Sequence, residues 1–187
     1  MTETPKTALI LVDVINSFFE PGHPNYYTGV QDVLPALRTL REAARASGAI
    51  VVHAAEKHRA HFHDFEWGKL PVHHLADAHD ATFFEDFAPE GDNETLVYKR
   101  RFSAFFATDL ALFLHEQGVK RVVIGGVKTN VCIRATAQDA FASGFEPIVP
   151  REATNSNRPH LAEASLEDID RYMGRVVTLD EAVGMLS

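Results

Sequence analysis

Cysteine is nearly absent from this chain: Cys132 is the only one in 187 residues. No internal disulfide can form, and a reducing, cytoplasmic setting is the simplest expectation. No apolar run is long enough to span a bilayer, and residues 1–6 lack the basic and apolar regions of a secretory leader, so a soluble chain with no membrane partner is expected. Positive charge is also scarce. Lys and Arg number 18 against 26 Asp and Glu, a net charge of −8 that argues against a nucleic-acid partner. Repeats, low-complexity tracts and linkers are missing too. What remains suits one domain over residues 1–187, large enough to bury about 70% of its unfolded surface.

What is present alternates. Residues 7–12 form an unbroken apolar run, the mark of a parallel strand covered on both faces. Val33, Leu37, Leu40 and Ala44 then recur at helical spacing, with Asp32 as the expected N-cap and Gly48 as the stop. Residues 49–54, 95–98, 121–124, 146–149 and 176–177 supply further strands. Helices are expected on Phe106, Leu110, Phe113 and Leu114, started near Ser103 or Thr108; from Cys132 to Gly144; and over residues 162–173. Thr178 and Glu181 make a capping box for a last one. This alternation predicts an α/β fold of three αβα layers, with a mostly parallel six-stranded sheet and helices on both faces.

Three reactive residues stand just past strand ends, where ligands bind in open α/β sheets: Asp13, Lys99 and Cys132. Each alone has a plain reading, as a loop cap, a surface lysine beside Arg100 and Arg101, and a small buried hydrophobe. Together their types are complementary: a sulfur nucleophile, an amine that lowers its pKa, and an acid that takes its proton and returns it to a leaving amine. The Gly125-Gly126 turn places Cys132 in the first turn of a helix, where free N–H groups and the macrodipole favour a thiolate.

From His53 to His79 the chain is irregular and holds seven of the ten histidines: His53, His58, His61, His63, His73, His74 and His79. Segments of this length are usually functional or mobile. Glu56, His58 and His73 form a carboxylate and imidazole set for a divalent metal, and a solvated histidine-rich loop is the other reading. Phe18 and Phe19 adjoin a Pro21, Gly22 and Pro24 loop, where they would line a pocket mouth or pin the loop down.

The stretches Leu11-Val12-Asp13, Tyr98-Lys99-Arg100-Arg101-Phe102-Ser103-Ala104-Phe105 and Gly126-Val127-Lys128-Thr129-Asn130-Val131-Cys132 resemble, in this order, the isochorismatase-like cysteine hydrolases. That group includes nicotinamidases, N-carbamoylsarcosine amidases and biuret hydrolases. The resemblance runs from the first strand to about Thr154. It implies a triad of Asp13, Lys99 and Cys132, a thioester formed on Cys132 and resolved by water, and a cis peptide between Val127 and Lys128. It also implies an oxyanion hole from the backbone N–H groups of Lys128 and Cys132, and a substrate-binding wall at Phe18 and Phe19. Nicotinamidases of the family hold a metal with Asp-x-His and a later His. Here Glu56-Lys57-His58 and His73 stand instead, with a side chain one methylene longer and a lysine between the ligands, so no cofactor is the first expectation and a divalent metal the alternative. Family members without the cysteine act on a vinyl ether, so Cys132 points to C–N cleavage.

The resulting expectation is hydrolysis of a small amide or carbamoyl/ureido compound by a homo-oligomer, oligomers being common in the family. Three other readings stay open: a metal-dependent nicotinamidase-type amidase, a non-catalytic small-ligand binder on the same fold, and a nucleotide binder using Gly125-Gly126, against which the G-x-G-x-x-G pattern is missing.

Overall fold

The fold is built outward from β1 (Thr7–Val12), which is buried at every residue in the computed structural model. The structure describes residues 5–187, so most of the leader expectation for residues 1–6 lies outside it. Leu9 and Leu11 feed an apolar core on one face of the sheet; Ala8, Ile10 and Val12 feed a second core on the other. A strand of this kind needs neighbours on both edges and cover on both faces. The neighbours are β2 (Ile50–Glu56), with β3 (Glu94–Lys99) beyond it, and on the other side β4 (Arg121–Val127), β5 (Glu146–Pro150) and β7 (Arg175–Val177). The two-residue β6 (Thr154–Asn155) pairs with the end of β4. Among the described residues the sheet therefore has seven strands, one more than expected, because a two-residue strand leaves no apolar run to read. Every pairing is parallel.

Two sets of helices cover the sheet. The short α1 (Asn16–Phe19), α2 (Leu34–Ser47) and α6 (Leu179–Leu186) bring Phe19, Leu37, Leu40 and Leu186 to the first core. On the other face, α3 (Leu110–Glu116), α4 (Arg134–Ala142) and α5 (Pro159–Tyr172) bring Leu110, Leu114, Ala137 and Ile169 to the second. The capping box of Thr178 and Glu181 opens α6 as expected, and Gly48 ends α2 in the left-handed conformation. Asp32 is not a cap: it lies in a 3-10 turn, Val30–Val33, that leads directly into α2. The helix expected on Phe106 starts at Leu110, near Thr108 and not Ser103: Thr108 Oγ1 accepts the Leu110 N–H at 3.4 Å and donates to the Ala104 carbonyl at 2.6 Å, and Phe106 lies outside the helix, exposed.

The Gly125-Gly126 pair is not a phosphate turn. Both glycines lie inside β4, and a Cβ on Gly126 would sit 2.0 Å from the Val12 carbonyl oxygen, while one on Gly125 would meet Leu37 at 2.7 Å. They let β4 close on β1 and on α2. His53 is also not in the irregular segment. It lies within β2 with its Nε2 2.8 Å from Glu94 Oε2, because β2 continues through Glu56. No helix among the described residues is long and apolar enough to cross a membrane.

Candidate active site

The carboxyl ends of β1, β2 and β3 form one rim, and register sets what stands on it. Glu56 pairs with Lys99 as the last residues of their strands, and Asp13 follows Val12. Asp13 leaves β1 in the left-handed region, at φ 55°, a conformation that aspartate tolerates better than most side chains. Its N–H donates to the Ala54 carbonyl at 2.8 Å, and its Oδ1 accepts the Glu56 N–H at 2.9 Å, so β2 fixes the carboxylate from two sides. Its Oδ2 lies 2.8 Å from Lys99 Nζ, an ion-pair contact out of line for a hydrogen bond, and has no other donor among the described residues.

Lys99 is fully buried, with Nζ 3.7 Å from Cys132 Sγ, 3.3 Å from the Arg101 carbonyl and 3.9 Å from Glu56 Oε2. Burial alone would strip its proton, but Asp13, Cys132 and Glu56 together push its pKa above the ordinary lysine value. The amine is a fixed cation.

Cys132 does not sit in an α-helical first turn. It belongs to a π-helical turn, Thr129–Ile133, that precedes α4. Such turns recur at functional sites because they displace side chains from the regular helical pattern. This one is anchored to β6 by Thr129 and Thr154, whose hydroxyls are 2.8 Å apart. Burial pushes the Cys132 thiol well above its usual value; Lys99 acts in the opposite direction and Asp13 and Glu56 add to the rise. Burial and the two carboxylates therefore work against the thiolate expected from the sequence, and Lys99 works for it.

Cys132 lies on the floor of a cavity of about 600 Å³ whose walls include Phe18, Phe102, Lys128 and Val131. Phe19 is not among them. It points into the core and stacks on Phe84 at 5.6 Å, because successive residues of a helix such as α1 point about 100° apart. The Val127–Lys128 peptide is cis.

Beside the triad lies a second buried group of charges. Glu56, His58, Glu66 and His73 each offer one ligand atom, and these atoms all lie within 4.8 Å of one another. His58 Nδ1 pairs with Asp64 Oδ2 at 2.9 Å and His73 Nδ1 with the Pro71 carbonyl at 2.6 Å, which turns both Nε2 atoms toward the two glutamates. Asp64 is held in turn by Arg100 and Arg101, at 2.9 and 3.0 Å. Burial would raise the Glu56 pKa, but Lys99 and the histidines hold its carboxyl well below the usual range; His73 is pushed up to about 9, chiefly by Glu56. Glu66 is buried with no hydrogen bond to either carboxylate oxygen, and burial followed by the nearby Glu56 charge raises its pKa. Sequence reasoning found Glu56, His58 and His73 here and missed Asp64 and Glu66. The signal available was the spacing itself: in Asp64-Phe65-Glu66 the aspartate caps a 3-10 turn by accepting the Glu66 N–H.

With this geometry in view, comparison with known proteins is specific. The Isochorismatase domain family matches residues 7–181. The chain is 39% identical to maleamate amidohydrolase of Pseudomonas putida, over 97% of this chain and 87% of that protein. It is 33% identical to N-carbamoylsarcosine amidase of an Arthrobacter species, over 97% of this chain and 71% of that protein. Among solved structures, pyrazinamidase of Pyrococcus horikoshii in complex with zinc has a TM-score of 0.81 at 30% identity, covering 93% of this chain and 99% of that one. The fold, the order of the motifs and these matches agree: the chain belongs to the isochorismatase family, as one of its hydrolases of non-peptide C–N bonds.

Proposed function

We propose that Cys132 is the nucleophile of an amidase acting on small amides or carbamoyl compounds, with Asp13 as acid and base and Lys99 as the fixed cation. The observation that carries this is the convergence of three strand ends. Lys99 Nζ lies 2.8 Å from Asp13 and 3.7 Å from Cys132, within a buried site that opens on a cavity. The relatives acting on maleamate and N-carbamoylsarcosine support the substrate class.

The chemistry follows from the resting protonation state. With Cys132 resting as a thiol, its proton passes to the Asp13 carboxylate, which lies within 4.8 Å of the sulfur and is held by Lys99, as the sulfur attacks the carbonyl carbon. Lys99 offsets the charge that develops on sulfur. The tetrahedral oxyanion accepts the N–H groups of Lys128 and Cys132, each worth about 3 to 4 kcal/mol in the transition state. Collapse breaks the C–N bond, Asp13 protonates the departing amine, and a thioester remains. Water, giving a proton to Asp13, attacks the thioester; Cys132 leaves and recovers that proton, and a carboxylic acid is released.

A divalent ion is the second reading, favoured by the Glu56, His58, Glu66 and His73 group. A buried glutamate without hydrogen-bond partners, and two histidines whose Nδ1 atoms are tied so that Nε2 faces inward, form a donor set suited to such an ion. Bound there, it would supply a Lewis acid for a donor atom of the substrate. The zinc complex of the pyrazinamidase relative supports this reading.

The test is turnover of maleamate, N-carbamoylsarcosine and nicotinamide by the parent and by Cys132→Ala, with mass spectrometry of quenched parent. The expected result is loss of turnover in the variant and an acyl adduct on Cys132 of the parent. Equal turnover by the two proteins would refute the nucleophile assignment.

A further inference from the structure

We infer that the Lys128 side chain is an anion anchor, so that the preferred substrates carry a carboxylate at the end remote from the scissile amide. This rests on the amidase reading above and concerns the side chain, not the backbone N–H assigned to the oxyanion.

The cations around the cavity are otherwise matched. Lys99 has Asp13 and Glu56; Arg134 reaches Asp168 at 3.1 Å; Arg100 and Arg101 hold Asp64. Lys128 is the exception: among the described residues no carboxylate lies within ion-pair distance of its Nζ, and its closest partners are two aromatic rings. It is nonetheless half-buried, with Nζ 5.6 Å from the centre of the Phe18 ring and 5.3 Å from that of Tyr27. Both rings are held in place. Phe18 is buried against His74, and the Tyr27 hydroxyl donates to Asn155 Oδ1 at 2.7 Å.

A lysine free to seek solvent would extend into it. This one is seated on two aromatic faces over the cavity, which stabilise a cation but leave its three N–H donors without acceptors. Burial lowers its pKa, a cost that an arriving carboxylate would offset. The cavity wall also carries the apolar Pro24, Leu70, Val72 and Phe102. Glu56 lines the same cavity but is engaged by Lys99 and the histidines, leaving one unmatched positive charge facing the substrate.

The experiment compares each anionic amide with its uncharged counterpart: maleamate with maleamide, succinamate with succinamide, and N-carbamoylglycine with its primary amide. The kcat/KM ratio within each pair is measured for the parent, Lys128→Gln and Lys128→Arg. The parent should favour the anionic member, with the difference carried by KM. Lys128→Gln should reduce that preference about ten- to a hundredfold, the range for a charge-assisted hydrogen bond, and Lys128→Arg should keep most of it. A parent without preference, or a preference that survives Lys128→Gln, overturns the anchor while leaving the amidase reading intact. Calorimetric titration of maleate into the parent and Lys128→Gln supplies a readout independent of turnover. If no pair is hydrolysed the amidase reading fails, and maleate binding that is weaker in Lys128→Gln would still uphold the anchor. Equal binding by the two, or none, would overturn it.

Discussion

Two buried clusters of charge share one rim, and they are held in different ways. The Asp13, Lys99 and Cys132 group comes from the ends of β1 and β3 and from the turn after β4, so the sheet's register alone brings it together. The Glu56, His58, Asp64, Glu66 and His73 group has one member on a strand and four on the segment between β2 and β3. That segment is held to itself by His58, whose N–H donates to the His74 carbonyl at 2.8 Å and whose carbonyl accepts the Ala76 N–H at 2.9 Å. Glu56 joins the two clusters: its N–H holds Asp13, and its carboxylate faces both Lys99 and His58. A strand-borne cluster is as rigid as the core beneath it. A loop-borne cluster is only as rigid as its own contacts, unless something bound at its centre ties it together.

If the first cluster is the chemical machine, its members should fail as a unit. Cys132→Ala should lower kcat by about five to six orders of magnitude, as removal of a nucleophile does elsewhere, with little change in unfolding temperature. Asp13→Asn comes next, at about three to four orders in kcat. It also has a signature that a structural role would not produce. The Asp13 charge raises the Cys132 pKa, so neutralising it should move iodoacetamide labelling of Cys132 to lower pH while turnover falls. In the parent, labelling should rise only above the ordinary thiol range. Labelling of the parent at neutral pH, as fast as a free thiolate, would show that the buried sulfur is already ionised and that Asp13 has no proton to take.

The same division explains what could be read in advance. The parallel sheet and the three strand-end residues are legible because an apolar run ends abruptly at a charge, and topology then places every such end on one rim. Glu56 is harder. Ala55 and Glu56 fall beyond the strand read over residues 49–54, yet β2 continues through them because β3 pairs alongside as far as Lys99. Asp64 and Glu66 are harder still: a cluster assembled by a long irregular segment has no period, and only the capping spacing of Asp64-Phe65-Glu66 marks the pair. Phe19 looks like Phe18 in sequence, and only the packing of α1 against Phe84 separates the core residue from the cavity residue. The ionisation of Cys132 is a property of three-dimensional burial, which local helix-terminus arguments leave out.

The second cluster can be tested by taking it apart. On the metal reading, His58→Ala and Glu66→Gln should each weaken binding of zinc or manganese by about ten- to a hundredfold, measured as metal retained after dialysis and as the metal-dependent shift in unfolding temperature. Turnover should fall far less than in the first cluster's variants. If the parent retains no metal and both variants unfold at the parent's temperature, the cluster neither holds an ion nor braces the segment, and the contrast drawn above disappears.

The smallest effect is expected at the far end of the same segment. Asp86 pins it to α2 through Arg41 and Arg38, and Arg41 also donates to the Asp86 carbonyl and packs 4.7 Å from the centre of the Phe87 ring. Burial would raise the Asp86 pKa, but the two arginines bring it down from 3.8 to about 2. A carboxylate with a lowered folded-state pKa adds stability above its ordinary value and loses it as pH falls through the folded one. Asp86→Asn should therefore be less stable than the parent at neutral pH, and the difference should fade between about pH 4 and about pH 2. The shift alone would correspond to about 2.5 kcal/mol; solvent screening at a side chain 45% exposed reduces this to about 1 kcal/mol. Arg41 keeps its bond to the backbone in the variant, so no buried cation is stranded. Urea titrations at several pH values measure the difference. Because Asp86 touches neither cluster, kcat and metal retention should be unchanged; a fall in either would mean that the segment transmits strain along its length and that its two ends are not independent.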